Sequence, residues 1–204
     1  MHLIPTQDEV VAVLRETGAL REGHFQYPTG LHSNEYLQVP LAMRYYQHQR
    51  MLSVGLSRLL RANSEIRAIM PELSIVTPMT GGLPVAYGVC ESASAKQVYW
   101  AEREHEDERL RFRQFLEPQP GEPVVLVDDI LRTGTKLAEL KTLLEARGAV
   151  VVGLAVIIYQ PTPRTLNFGD LPLYYLAKLD GSYYVDGAHC EWCQRGVPLQ
   201  KVWV

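Results

Sequence analysis

The chain has 204 residues, of which 47% are hydrophobic and 21% are charged, and its net charge is −3. These values predict one ordinary globular domain with a single core, and the lack of a Lys/Arg-rich run argues against nucleic-acid binding. No apolar stretch reaches the roughly 18 residues of a membrane span. Asp8 and Glu9 stand where a signal peptide would be basic, and three cysteines are too few for a disulfide framework. A cytoplasmic protein is expected.

The N-terminal third begins with a capping box. Thr6 and Glu9 are three residues apart, which predicts the start of a helix that ends near Thr17. Residues 23–43 are rich in Gly, Pro, Tyr and His and predict loops or short strands. A second helix is expected over 49–61, because apolar residues recur there near helical spacing.

Strands and helices are expected to alternate through the middle of the chain. The predicted strands are 74–77, 97–101, 124–127 and 150–158, and the predicted helices are 83–91 and 136–147. Strand, helix and strand at this spacing imply a right-handed parallel crossover. Charged and bulky residues alternate over 109–115, which indicates an exposed hairpin arm.

The fold class that follows is α/β, with a parallel sheet flanked by helices, a small hood from both chain ends and a protruding hairpin arm. Within a single domain of residues 1–204 we expect a hood segment at about 1–45 and a central core at about 70–160. Residues 161–204, broken by Pro, Gly and paired tyrosines, are expected to form short strands and loops that close the domain.

The most informative segment is V-V-L-V-D-D-I-L-R-T-G-T, residues 124–135. An apolar strand runs into Asp128 and Asp129, whose carboxylates can accept hydrogen bonds from the vicinal hydroxyls of a ribose. The Thr133–Thr135 turn then opens a helix, where free N–H groups and the helix dipole favour phosphate. Open α/β sheets also bind ligands beyond their strand ends. The alternative, an ordinary strand–turn–helix junction with Asp129 as a solvated cap, is disfavoured by the length of the run.

This run resembles the signature of type I phosphoribosyltransferases, which bind 5-phosphoribosyl-1-pyrophosphate (PRPP) and transfer its phosphoribosyl group to a base. The resemblance implies that the two acids hold the ribose hydroxyls and that the turn holds the 5-phosphate. The residues it assigns to PRPP binding are Asp128, Asp129, Ile130, Leu131, Arg132, Thr133, Gly134, Thr135 and Lys136.

Four further segments resemble orotate phosphoribosyltransferases in the same order along the chain. They are a base-covering segment at 17–33, a pyrophosphate loop at 77–87, a catalytic arm at 101–115 and a C-terminal tail at 190–199. The loop could also be a plain glycine turn, and the arm's charges a solvated face. The resemblance implies that Thr80, Gly81 and Gly82 receive pyrophosphate. Arg103 and His105 are the arm's candidates for closing over the leaving group, and they join Asp128 and Asp129 as catalytic candidates.

Three positions and the arm depart from the family pattern. Arg132 replaces a threonine and Gln160 replaces an arginine, both of which contact the base in the family. Gly81 replaces a lysine, although one branch carries Gly-Gly there, and the arm's lysines are absent. Arg132 is our candidate for pairing with the carboxylate of orotate, since guanidinium binds carboxylate in bidentate fashion. Gln160 is expected to face the same cavity, with Tyr36 in its lid.

The resemblance also implies cofactor, partners and pathway. Mg²⁺ is expected to bind through PRPP rather than by strong direct protein ligation, and the arm implies a homodimer. Orotate is the favoured base, which would place the enzyme in pyrimidine nucleotide synthesis. The alternatives are a transferase for another base, such as a purine in salvage, and a PRPP-binding regulatory protein without turnover.

Cys190 and Cys193 have the C-x-x-C spacing of metal ligands. A tetrahedral zinc site needs four ligands, and the sequence offers His189 and the distant Cys90 as possible helpers. Reduced thiols are the favoured interpretation. The histidines of the N-terminal segment, His24 and His32, are interpreted as structural or surface residues.

Overall fold

The computed structural model describes residues 3–105 and 108–202 of the chain. The helices are α1 (Gln7–Glu16), α2 (Pro40–Met43), α3 (Tyr46–Ala62), α4 (Ser64–Ala68), α5 (Leu83–Ala93), α6 (Thr135–Glu145) and α7 (Glu191–Gln194). The strands are β1 (Leu20–Gln26), β2 (His32–Leu37), β3 (Ser74–Pro78), β4 (Gln97–Ala101), β5 (Pro123–Leu131), β6 (Val150–Tyr159), β7 (Leu173–Lys178), β8 (Tyr183–Tyr184) and β9 (Gln200–Lys201). Among the described helices, none has the length and hydropathy to cross a bilayer.

Strand β5 is the centre of a five-stranded sheet in the order β4-β3-β5-β6-β7, in which every adjacent pair is parallel. Successive residues of β5 face opposite sides. Val125 and Val127 join the core formed with α1, α3 and α5, whereas Val124 and Leu126 join the core under α6. The sheet is therefore covered on both faces, as its continuous apolar run predicts. The predicted α/β class is confirmed.

A second, smaller sheet has the order β8-β2-β1-β9. Strands β1 and β2 form an antiparallel hairpin, and the tail adds β8 beside β2 and β9 beside β1. We call this sheet the hood. The two ends of the chain thus meet in one layer, and Phe25, Tyr27, Tyr36 and Val202 form its small core.

The elements predicted from the sequence are present with shifted ends. Thr6 and Glu9 form the expected capping box of α1. β5 continues four residues past its predicted end, through the acid pair. The tail holds more structure than expected, because residues 173–178 complete the main sheet as β7. This strand lies at the sheet edge and carries tyrosines, so it lacks the apolar run that marks a central strand.

The arm is less exposed than its alternation suggested. Arg109, Arg111 and Arg113 do point outward, but Leu110 and Phe112 are buried against the core under α6. Glu102 and Arg111 form an antiparallel bridge at its base. The prediction of an exposed arm is therefore right for its arginines and wrong for its apolar face. Part of the central run His105–Glu108 lies outside the described residues, at positions 106 and 107.

Candidate active site

The acid pair lies at the carboxyl end of β5. Asp128 is buried, with 9% of its surface exposed, and Asp129 is half-buried. The N–H of Asp129 donates to Oδ1 of Asp128 (2.9 Å), and the N–H of Ile130 donates to Oδ1 of Asp129 (2.8 Å). Each carboxylate therefore has one oxygen held by a backbone N–H, and a side-chain hydrogen bond also links the two carboxyl groups.

Burial raises the pKa of both carboxyl groups. For Asp128 the charge of Asp129 raises the pKa further, and the ammonium of Lys136 opposes this only in part. The guanidinium of Arg132 has the same opposing effect on the pKa of Asp129. Two adjacent acids without full compensation favour a ligand that brings hydroxyl donors or positive charge.

The pyrophosphate loop packs directly on these acids. A Cβ atom added to Gly81 would lie 2.8 Å from Oδ2 of Asp129, and one added to Gly82 would lie 2.9 Å from Oδ1 of Asp128. At Gly82 it would also lie 2.0 Å from Oγ1 of Thr77. The two glycines are thus required by the approach of the loop to the acid pair. Thr80, which precedes them, follows a cis peptide bond.

The Thr133–Thr135 turn follows β5 without interruption, and we call it the phosphate turn after the role that the resemblance implies. Gly134 has φ of 76° and precedes the first residue of α6, so the chain reverses there in a left-handed conformation that favours glycine. The hydroxyls of Thr133 and Thr135 lie 3.1 Å apart at the partly exposed front of the turn. Behind it, Leu166 donates its N–H to the carbonyl of Thr133 (2.8 Å). The N–H of Thr135 donates to Oγ1 of Thr133 (3.4 Å), and the first N–H groups of a helix, which have no carbonyl acceptor within it, favour an anion.

Arg132 connects the turn to the neighbouring strand and the hood. Its Nε donates to Oε1 of Gln160 (2.9 Å), its Nη2 donates to the carbonyl of Leu37 (3.2 Å), and its guanidinium lies 5.1 Å from the centre of the Tyr27 ring. Gln160 follows β6 and is 1% exposed. Arg132 and Gln160 are therefore hydrogen-bonded to each other, and the buried Gln160 has almost no surface that could face a cavity.

Tyr27 and Tyr183 are two hood residues that were not anticipated. The hydroxyl of Tyr183 donates to Oε1 of Gln160 (2.8 Å), and burial raises the pKa of Tyr183 to about 12. Tyr36, proposed for the lid, is 9% exposed and packs against Phe25 and Tyr27 inside the hood. The sequence offered one signal for Tyr183, the pair of adjacent tyrosines in the tail. Only the fold shows that Tyr183 reaches Gln160.

The catalytic candidates of the arm lie apart from the acid pair. Arg103 forms an ion pair with Glu139 on α6, with 2.6 Å between Nη2 and Oε2, and the same carboxylate accepts the N–H of Leu110. His105 is exposed. Glu139 thus fixes the base of the arm to the helix that begins at the phosphate turn.

These features define a parallel α/β protein in which an acid pair, a Thr-Gly-Thr turn and a Gly-Gly loop lie together at the carboxyl end of a central strand. The phosphoribosyl transferase domain model matches residues 61–167, and the chain belongs to that family. It is 33% identical to an orotate phosphoribosyltransferase of Thermotoga maritima over 93% of this chain and 94% of the relative. A Carboxydothermus hydrogenoformans relative of the same name is 32% identical, covering 91% of this chain and 92% of its own.

The fold is also similar to that of a solved structure. The crystal structure of orotate phosphoribosyltransferase from Aeropyrum pernix superimposes with a TM-score of 0.66 at 21% identity, covering 83% of this chain and 93% of that one. The fold and the family expected from the motif are therefore confirmed.

Proposed function

We propose that this phosphoribosyltransferase joins orotate to the phosphoribosyl group of PRPP and releases pyrophosphate, as a step of pyrimidine nucleotide synthesis. The observation that carries the proposal is the convergence of three elements at one sheet edge: the acid pair, the turn and the Gly81–Gly82 loop. They would bind the ribose hydroxyls, the 5-phosphate and the pyrophosphate, respectively. Relatives named orotate phosphoribosyltransferase, similar over nearly the whole chain, support the choice of base.

The chemistry requires little covalent participation from the protein. Displacement of pyrophosphate from the ribose C1 develops positive charge on the ring and negative charge on the leaving group. Ionised Asp128 and Asp129 would stabilise the positive charge on the ring and orient the ribose, while the turn would hold the 5-phosphate in place. Arg103 would have to leave Glu139 to reach the pyrophosphate, so we propose that the arm exchanges this ion pair when substrate binds.

Mg²⁺ is the proposed cofactor, and the residues present fit it. Asp128 and Asp129 offer carboxylate oxygens whose raised pKa values reflect uncompensated negative charge, and Mg²⁺ prefers few protein ligands together with phosphate and water. Bound with PRPP, Mg²⁺ would supply charge neutralisation of the pyrophosphate.

The base pocket preserves the family's positive charge on a different strand. The arginine expected at position 160 is a glutamine here, and the arginine at position 132 donates to it (2.9 Å). The guanidinium of Arg132 would therefore supply the charge from the end of β5 rather than from the end of β6. Gln160 would orient it, and Tyr27 would support its flat face.

A panel of bases tests the proposal. The enzyme is incubated with PRPP, Mg²⁺ and orotate, uracil, adenine, hypoxanthine or guanine, and pyrophosphate release is measured. Turnover with orotate alone is the expected result. Turnover with a purine alone would establish a salvage transferase instead, and PRPP binding without turnover of any base would establish a regulatory protein.

Arg132→Ala tests the base contact. The variant is expected to raise the KM for orotate about ten- to a hundredfold, since a hydrogen bond to a charged group is worth about 1.5–3 kcal/mol, with a much smaller change in the KM for PRPP. Arg132→Lys should recover little, because an ammonium lacks the bidentate fork. Arg164→Ala, which removes an exposed arginine nearby, is the matched control. An unchanged orotate KM in Arg132→Ala would reject this contact.

We also propose a cytoplasmic homodimer in which the arm of one subunit approaches the site of the other. Phe115, 91% exposed at the end of the arm, supports a contact there. Light scattering gives the oligomeric state. Mixing Arg103→Ala with the acid-pair double variant would restore activity if the arm acts on the neighbouring subunit.

A further inference from the structure

Four potential metal ligands converge where the tail covers the hood. His24 on β1, His32 on β2, and Cys190 and Cys193 around α7 place one ligand atom each within 4.8 Å of one another. His24, His32 and Cys190 are buried, and Cys193 is partly exposed. His189 and Cys90 do not take part in this group: His189 is exposed and bonded to Asp186.

Four of the six distances within the group are close to the edges of a tetrahedron around zinc, and all six are within 4.8 Å. Bonds of about 2.05 Å to nitrogen and about 2.3 Å to sulfur require about 3.3 Å between two nitrogens and about 3.6 Å between nitrogen and sulfur. The Nε2 of His24 and the Nδ1 of His32 are 3.2 Å apart. The nitrogen–sulfur distances are 3.4 Å and 3.6 Å from His24 to Cys190 and Cys193, and 3.4 Å from His32 to Cys193.

Hydrogen bonding alone explains this convergence poorly. The Nδ1 of His24 lies 2.9 Å from the carbonyl oxygen of Val197, which can only accept, so Nδ1 carries the proton and Nε2 presents its lone pair. His32, Cys190 and Cys193 all approach that single lone pair. Cys193 has Nδ1 of His32 as a second possible hydrogen-bond partner, but a metal ion at the centre of the group would be coordinated by all four atoms at once. The bond to Val197 is also the outer contact that orients metal-ligating histidines.

The fold prepares this geometry. The β1–β2 register shifts between Glu22 and Phe25, so a β-bulge includes Gly23 and His24, and bulges of this kind redirect side chains. His32 pairs with Gln26, two residues beyond His24, and the two histidines therefore share one face of the hood. The C-x-x-C pair is laid over that face by the short helix α7.

From this geometry we infer that His24, His32, Cys190 and Cys193 bind one zinc ion as a closed structural site. Two thiolates and two neutral imidazoles balance the charge of Zn²⁺, so the centre is neutral and suited to burial. The ion would join segments that lie 166 residues apart along the chain. It would hold the tail against the hood whose Tyr27 and Tyr183 support Arg132 and Gln160.

Metal analysis of the whole enzyme tests the inference. Protein purified without chelator is expected to contain about one zinc per chain, and Cys193→Ser and His32→Ala are expected to lose it. Cys90→Ser and His189→Ala are matched controls that change a cysteine and a histidine outside the group, and both should keep the metal. Zinc retained at the wild-type level in both Cys193→Ser and His32→Ala would overturn the site.

Cobalt substitution keeps the inference testable if the variants do not fold. Apo wild-type enzyme titrated with Co²⁺ should show the intense visible absorption of tetrahedral cobalt together with thiolate charge-transfer bands, and zinc should displace both. Removal of zinc by a chelator should lower the melting temperature and zinc addition should restore it. A protein isolated without metal that gives no such spectrum, or one isolated with a Cys190–Cys193 disulfide, would overturn the inference.

Discussion

The two ends of strand β5 carry buried acids that differ in how completely the protein hydrogen-bonds them. At the amino end, Glu122 is 7% exposed and its carboxylate accepts hydrogen bonds from Ser74, Gln97 (2.7 Å) and the N–H of Gln119 (2.9 Å). At the carboxyl end, the two acids receive little beyond local backbone N–H groups.

The pKa values follow this difference. Burial by itself raises the pKa of Glu122, but the hydrogen bonds from Ser74, Gln119 and Gln97 outweigh it, and the pKa falls below its ordinary value of 4.5. The pKa values of Asp128 and Asp129 stay raised by burial. A buried carboxylate whose partners are all in the protein stabilises the fold, whereas one whose partners are incomplete is available to a ligand.

The largest effect is expected at the carboxyl end. Asp128→Asn combined with Asp129→Asn should weaken PRPP binding about a hundredfold or more, because each hydrogen bond to a charged group is worth about 1.5–3 kcal/mol. The melting temperature should stay equal or rise, since two uncompensated charges are removed from a buried position. Calorimetry with PRPP and Mg²⁺ measures the affinity, and thermal denaturation measures the melting temperature. Unchanged affinity would falsify the ribose contacts.

The amino end should respond in the opposite way. Glu122→Ala leaves the donors of Ser74, Gln97 and Gln119 without their acceptor and should lower the free energy of unfolding by about 2–3 kcal/mol. PRPP affinity of the folded variant should be unchanged, because Glu122 lies at the far edge of the sheet. Urea unfolding gives the stability. A loss below about 0.5 kcal/mol, ordinary for a surface position, would contradict this role.

A smaller effect is expected from Gly81→Ala. The added Cβ lies 2.8 Å from Oδ2 of Asp129, so the carboxylate must move, and PRPP affinity should fall about tenfold, as for the loss of one hydrogen bond. The melting temperature should change little, because only a side-chain end is displaced. Gly82→Ala is the contrasting variant: its Cβ meets Thr77 at 2.0 Å, so stability should fall as well. Equal loss of stability in both variants would contradict the distinction.

The smallest effect concerns pH. The pKa of Glu122 is lowered on folding, so its contribution is present above pH 4.5 and is lost as the pH falls through the folded value. The Asp128–Asp129 pair has raised pKa values, so its cost appears only as the pH rises above the ordinary value of 3.8. Glu122→Gln should therefore be less stable than wild type at pH 7 and the double Asn variant equally or more stable, with both differences shrinking toward low pH. Free energies of unfolding whose differences from wild type stay constant from pH 7 down to about pH 3 would contradict this account.

Contiguous features were predicted well from the sequence. The buried strand, the acid pair, the turn and the start of α6 occupy consecutive positions, so local periodicity and turn chemistry were enough to place them. The capping box of α1 is another local signal. The family resemblance then supplied the roles of these residues, which spacing by itself leaves open.

Features that join distant segments were decided only by the tertiary structure. Residues 132 and 160 could be expected to meet, because parallel strands joined by one helix end at the same edge of the sheet. However, the hydrogen bond from Arg132 to Gln160, and the second one that Gln160 accepts from Tyr183, depend on side-chain packing. Likewise, nothing local pairs Arg103 with Glu139. The C-x-x-C pair supplies two of the four ligands of the inferred zinc site, and the other two, His24 and His32, lie on β1 and β2 of the hood. Sequence separation hides such contacts because their geometry exists only after the two ends of the chain have been brought into one layer.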